Sequence, residues 1–152
     1  MTSHYRKILC PTDLSPVGEH AVSVAYGLAG PEATVYLLHV SEPAVVVGPP
    51  DPGYGDAPSA RAAREKKLQG QMRWLVPDDS TSKGVRTEIL VFHDPNVAAR
   101  VVAEAGRLGV DAIVMGSHGQ TGFGRILMGS VAMDVVRQAT VPVILVHDRR
   151  AR

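Results

Sequence analysis

The chain has 152 residues, 45% apolar and 20% charged, which is the size of one globular domain (1–152) with a core that needs neither disulfides nor a structural metal. Sixteen Lys and Arg against fifteen Asp and Glu give a formal charge of +1 without a basic block, which argues against nucleic acid as a main partner. Cys10 is the single cysteine, so no intramolecular disulfide forms; no apolar leader follows Met1 and no apolar run approaches the ~18 residues of a membrane span, so a soluble cytoplasmic protein is expected.

Ile8-Leu9-Cys10 is a short apolar run halted by Pro11-Thr12-Asp13, a first strand ending in a turn. Ser15-Pro16 is an N-cap followed by proline at the first helical position, and Val17, Ala21, Val24, Ala25 and Leu28 recur at helical spacing up to Gly30-Pro31. Residues 33–40 are β-branched and almost continuously apolar, the pattern of a strand covered on both faces. Five prolines and three glycines between 41 and 58 oppose helix and strand, so a mobile loop is expected there. A helix is predicted over 60–76, with Leu68, Met72, Leu75 and Val76 on one face and its basic residues solvated. A third strand is predicted over 84–92. A third helix opens at Asp94-Pro95, carries Val97, Val101, Val102, Ala105 and Leu108 on one face, is slightly weakened by Gly106 and ends at Gly109. Ala112 to Met115 is a fourth buried strand, residues 131–139 a fourth helix and Val141 to Val146 a fifth strand. Pro142 lacks a ladder donor, which places that strand at a sheet edge.

Strict strand–helix alternation implies an α/β fold, a Rossmann-like parallel sheet of five strands with helices on both faces; with strands one to three winding one way and four and five the other, the sheet is doubly wound in the order 3-2-1-4-5. In such a sheet the binding crevice lies at the C-terminal ends of strands one and four. The loops there are Pro11-Thr12-Asp13 and the Gly-rich stretch from Gly116 to Gly129. Gly116-Ser117-His118-Gly119, nine residues, then Gly129-Ser130 opening a helix is a layout suited to phosphates. Glycine admits an anion to the backbone and the first helical amides point outward. The alternative is a long turn with glycines in left-handed positions and Ser130 as an ordinary cap. A Gly-Lys-Ser/Thr ending is absent, which excludes a Walker loop. Asp13 can accept from ribose hydroxyls or help to hold Mg²⁺, or it is a turn residue.

These marks, Cys10-Pro11-Thr12-Asp13, Gly116-Ser117-His118-Gly119, Gly129-Ser130 and Val141-Pro142-Val143, resemble those of the universal stress protein family along essentially the whole chain. The G-x2-G-x9-G-S/T spacing is similar to that of its ATP-binding branch. The resemblance implies Asp13 at the ribose, Val40 beside the adenine, and Gly116, His118, Gly119, Gly129, Ser130 and Val131 along the phosphates. Pro11, Thr12 and Met115 complete the expected adenine-nucleotide site. The ligand implied is ATP with Mg²⁺, or else AMP or a cyclic nucleotide, and the role a stress or signalling switch. Gln120 stands where many members carry arginine, and Arg125 is the nearby replacement or a solvated loop residue.

Two other function classes stand beside this one: a slow ATPase drawing on Asp13, His118 and Arg125, and a dimeric interaction module without nucleotide. Cys10 reads as a small buried residue, and the scattered histidines give no metal site. The apolar edge Val141 to Val146 invites antiparallel pairing with a second copy, and the resemblance implies the same homodimer.

Overall fold

The alternation of buried apolar runs with amphipathic stretches dictates the architecture. The computed structural model describes residues 5–43, 58–81, 83–119 and 128–147. Nine elements follow in order: β1 (Tyr5–Pro11), α1 (Pro16–Leu28), β2 (Ala29–Ser41), α2 (Pro58–Arg73), β3 (Arg86–His93), α3 (Val97–Leu108), β4 (Ala112–Gly116), α4 (Ser130–Gln138) and β5 (Val143–Val146). All neighbouring strands pair in parallel, and the order is β3-β2-β1-β4-β5, as the alternation predicts. Of the Pro/Gly-rich segment expected over 41–58, residues 44–57 lie outside the described residues, as do Gln120 and Arg125. No helix among the described residues is long and apolar enough to cross a membrane.

Because side chains alternate across a strand, the sheet has two cores. Ile8, Cys10, Val35, Leu37 and Val114 pack with Ala21, Val22 and Ala25 of α1 and Met72 of α2. Leu9, Tyr36, Leu38, Ile113 and Met115 pack with Val101 and Ala105 of α3 and Ala132 and Val135 of α4. The central strands therefore bury both faces, which is why β2 reads as a continuous apolar run rather than an alternating one.

Several boundaries differ from the sequence expectation for identifiable reasons. α1 stops at Leu28 and β2 begins at Ala29, across the Gly30-Pro31 pair that reads as a breaker. The β1–β2 register jumps from Tyr5↔Ala29 to Lys7↔Thr34, so the extra residues of β2 bulge outward and carry exposed Pro31 and left-handed Glu32 (φ 60°) away from the ladder. α2 runs from Pro58 to Arg73 instead of 60–76; of its expected apolar face only Met72 is fully buried, while Leu75 and Val76 pack after the helix ends. β3 starts at Arg86 rather than 84, where Gly84 turns with φ 73°. The third helix starts at Val97 instead of at Asp94-Pro95, because Asn96 is its N-cap and accepts from the Ala99 amide at 3.0 Å. β5 is limited to Val143–Val146 and lies at the sheet edge expected from Pro142. The Pro142 carbonyl still accepts from the Ile113 amide at 2.9 Å.

The two glycines of the third helical stretch have opposite roles. Gly109 is the C-cap with φ 61°, and Val110 N–H reaches back to the Ala105 carbonyl at 3.2 Å. Gly106 is helical, and an added Cβ there would meet nothing within 4 Å. Gly106→Ala should therefore stabilise the protein by about 0.5–1 kcal/mol, and Gly109→Ala should destabilise it by about 1–2 kcal/mol, as read by urea unfolding.

Candidate functional site

The C-terminal ends of β1, β2 and β4 and the start of α4 surround a cavity of about 310 Å³. All eleven residues expected at the site from sequence, Pro11, Thr12, Asp13, Val40, Met115, Gly116, His118, Gly119, Gly129, Ser130 and Val131, are on its wall. Gly18, Leu38, Glu42, Val97, Val101 and Ala132 line it too. None of these six belongs to a motif. Val97 and Val101 are on the apolar face that the helical spacing predicts, and Gly18 occupies the first turn of the helix that leaves the β1 loop, so topology was the available signal for these three.

The β1 loop is built from short turns. Thr12 Oγ1 accepts from the Leu14 amide at 3.1 Å, and Asp13 Oδ1 accepts from the Ser15 amide at 3.0 Å and from Ser15 Oγ. Ser15 then caps α1 by accepting from the Gly18 amide at 3.2 Å. Asp13 is thus both a turn residue and a cavity residue: Oδ1 sets the turn, while Oδ2 sits 2.9 Å from where a Cβ on Gly119 would lie. Leu14 adopts φ 63°, a left-handed conformation that costs a β-carbon residue about 1–2 kcal/mol.

Ser117, buried to 1% exposure, joins the β4 loop to its neighbours. Its amide donates to the Val146 carbonyl at 2.9 Å, its carbonyl accepts from the Gly129 amide at 2.7 Å, and its hydroxyl lies 3.0 Å from His118 Nδ1. The three glycines of the motif are required by close approach rather than by left-handed dihedrals. A Cβ on Gly116 would meet Val17 Cγ1 at 2.8 Å, one on Gly119 would meet Asp13 Oδ2, and one on Gly129 would meet His118 Cα at 3.3 Å. Gly129 is the N-cap of α4 with φ −62° and supplies no side-chain acceptor. Met133 is the first residue whose amide bonds back to the Gly129 carbonyl, at 2.9 Å. The amides of Ser130, Val131 and Ala132 therefore have no acceptor within the helix, and they open at the cavity, where the helix dipole favours negative charge.

The walls divide by chemistry. Leu38, Val40, Val97, Val101, Met115 and Val131 form an apolar surface that a flat ring system can cover, while Asp13, Glu42, His118 and Ser130 are polar. No Lys or Arg lines the cavity among the described residues. Among those residues, no group of three or more His, Cys, Asp or Glu is placed to hold a metal ion alone. A carboxylate such as Asp13 with phosphate oxygens and water is nevertheless a donor set that suits Mg²⁺. Cys10 is fully buried next to the loop, and burial pushes its thiol up to about 12, so it is a packing residue and not a nucleophile.

The Gly116–Val17 contact separates packing from binding. Gly116→Ala should cost about 1–3 kcal/mol in urea unfolding, because Val17 is a buried β-branched side chain with little room to move. Unchanged stability would mean that α1 does not pack against β4 this closely.

Comparison with known proteins places this geometry in a family. A model of the universal stress protein family matches residues 4–147. Universal stress protein MJ0531 of Methanocaldococcus jannaschii is 33% identical over 146 residues, covering 93% of this chain and 82% of that protein. The solved structure of MJ0577 from the same organism is 27% identical with a TM-score of 0.71, covering 97% of this chain and 99% of that one. A universal stress protein solved in complex with cAMP shares the fold at 20% identity and a TM-score of 0.66, covering 95% and 98%. Matched along nearly its whole length by the family model, the chain belongs to the universal stress protein family.

Proposed function

We propose that the cavity binds an adenine nucleotide, ATP with Mg²⁺ in the first instance, and that occupancy switches the protein's interactions in a stress response. The observation that carries this reading is the start of α4: a helix whose N-cap is glycine presents its unpaired first amides to a cavity that Leu38, Val40, Val97 and Met115 also line. The apolar side, with Val40 and Leu38, takes the base, Asp13 accepts from the ribose hydroxyls, and Gly119, Gly129, Ser130 and Val131 take the phosphates. With the carboxylates Asp13 and Glu42 on the wall and no Lys or Arg among the described lining residues, a polyphosphate is best accommodated together with a cation. Mg²⁺ held by the phosphates and Asp13 would neutralise that charge. The relative solved with cAMP is consistent with an adenine-sized seat in this fold. Binding is favoured over turnover because Asp13 Oδ1 and His118 Nδ1 are both engaged in internal hydrogen bonds, with Ser15 and Ser117.

Calorimetric titration with Mg-ATP tests this directly. Gly129→Asp gains a helix cap but brings a Cβ to 3.3 Å from His118 Cα, so urea unfolding should show a loss of no more than about 1 kcal/mol, too small to unfold the site. Its carboxylate occupies the amides that a phosphate would use, so affinity should fall at least about tenfold. Gly119→Ala displaces Asp13 Oδ2 and should weaken binding in the same direction. A wild-type protein that takes up no adenine nucleotide contradicts the reading.

We also propose that the open edge of β5, with Val143, Ile144 and Leu145 only half-buried, pairs antiparallel with a second copy. Sedimentation at micromolar concentration should show a dimer, and Ile144→Lys should shift it toward monomer; wild-type monomer alone would refute the pairing.

A further inference from the structure

His39 is not among the residues lining the cavity, yet its side chain hydrogen-bonds from β2 to the loop that does: its Nδ1 lies 2.9 Å from the Thr12 carbonyl oxygen. By the alternation of β2, His39 shares the face of Val35 and Leu37, toward α1 and α2, whereas Leu38 and Val40 face the cavity side. Thr12 is held at three points. Its amide donates to the Leu38 carbonyl at 2.9 Å, its hydroxyl accepts from Leu14, and its carbonyl is held by His39. The first two bonds leave the Thr12–Asp13 peptide plane able to rotate; the third fixes its oxygen end, and a planar peptide then fixes where Asp13 begins. Such a restraint is needed here, because left-handed Leu14 two residues later makes a relaxed loop energetically accessible.

We propose that His39 is a positioning residue for the nucleotide cavity, acting through the Thr12 carbonyl to hold Asp13 and the strained Leu14 in place. A carbonyl oxygen only accepts, so Nδ1 must carry the hydrogen. The neutral ring is therefore the Nδ1–H tautomer, the one less populated by free imidazole in water. Any effect of His39 on a ligand passes through Thr12, since the ring lies on the other side of the sheet.

The affinity part of the test rests on the adenine-nucleotide reading; the ligand-free part does not. An asparagine side chain places its amide nitrogen close to the position of imidazole Nδ1, whereas glutamine places its nitrogen nearer that of Nε2. Wild type, His39→Asn, His39→Gln and His39→Ala should be compared for amide hydrogen exchange at Leu14 and Ser15 without nucleotide, and for Mg-ATP affinity. Loss of the bond in the Ala and Gln variants should speed exchange at both amides and weaken affinity by about tenfold, with His39→Asn restoring both to within about threefold. Long-range nitrogen NMR of the wild-type ring should show Nδ1 protonated in the neutral form. Equal exchange in all four proteins, an Nε2–H tautomer, or failure of His39→Asn to restore protection while remaining folded overturns the proposal. If wild type binds no Mg-ATP, the cavity reading fails, and the exchange and tautomer results still decide the role of His39.

Discussion

Three glycines without a Cβ let α1, the loop after β4 and the start of α4 meet at the C-terminal edge of the sheet, and the geometry of the cavity depends on that meeting. Val17 packs against Gly116, the Asp13 carboxylate against Gly119, and the His118 backbone against Gly129. The first two contacts are closer than a β-carbon permits, and the third is tight enough that the neighbour would have to shift by a few tenths of an ångström. The carbonyl of Ser117 closes the arrangement by accepting from the Gly129 amide at 2.7 Å, which fixes the distance between the β4 loop and the first turn of α4. The cavity is the space that these contacts leave, and its polar end coincides with the one capped helix end in the described chain at which glycine stands as the N-cap.

This has a consequence for how a phosphate would be held. In many phosphate sites, glycine creates room for the ligand; here the Cβ direction of each glycine points at protein. In the proposed complex the room would lie at the start of α4, where Ser130, Val131 and Ala132 offer amides, and positive charge would come from the helix dipole and an accompanying cation. Fixed donors of this kind need no reorganisation when an anion arrives, so on the proposed reading rigidity of the Thr12–Ser15 turn and of the Ser117 junction would contribute to affinity by preorganisation. The turn is held at several points at once, which is what a left-handed leucine next to a cavity-lining carboxylate requires.

Much of this was legible in the residues. Apolar runs at 8–10, 33–40, 84–92, 112–115 and 141–146 separated by helical spacing admit few parallel arrangements, and the order 3-2-1-4-5 follows once strands one to three wind one way and four and five the other. The eleven expected site residues lie on one cavity: the G-x2-G-x9-G-S spacing and the switch-point rule point to that sheet edge, and the resemblance to the family added residues such as Val40 and Val131. What the sequence pattern missed is three-dimensional. Gly30-Pro31 reads as a stop, yet a bulge lets β2 run through it. Glu42 and Ala132 belong to no periodic signal that distinguishes a cavity wall from a loop or a helix core. The role of the glycines was visible only in part: their necessity shows in the spacing, but that they are needed for contact with Val17, Asp13 and His118 depends on where α1 crosses β4. The link from His39 to Thr12 spans 27 residues and two strands, and nothing local in sequence announces it.

The central claim, that the start of α4 and the β1 loop together hold an adenine nucleotide, is tested most directly by adding Mg-ATP to nitrogen-15-labelled protein and mapping backbone amide shifts. The account predicts that the largest changes fall on Thr12, Asp13, Gly119, Ser130 and Val131, with saturation at one nucleotide per chain. Changes confined to the basic surface of α2, at Arg61, Lys66 and Lys67, or no changes at all, would contradict it.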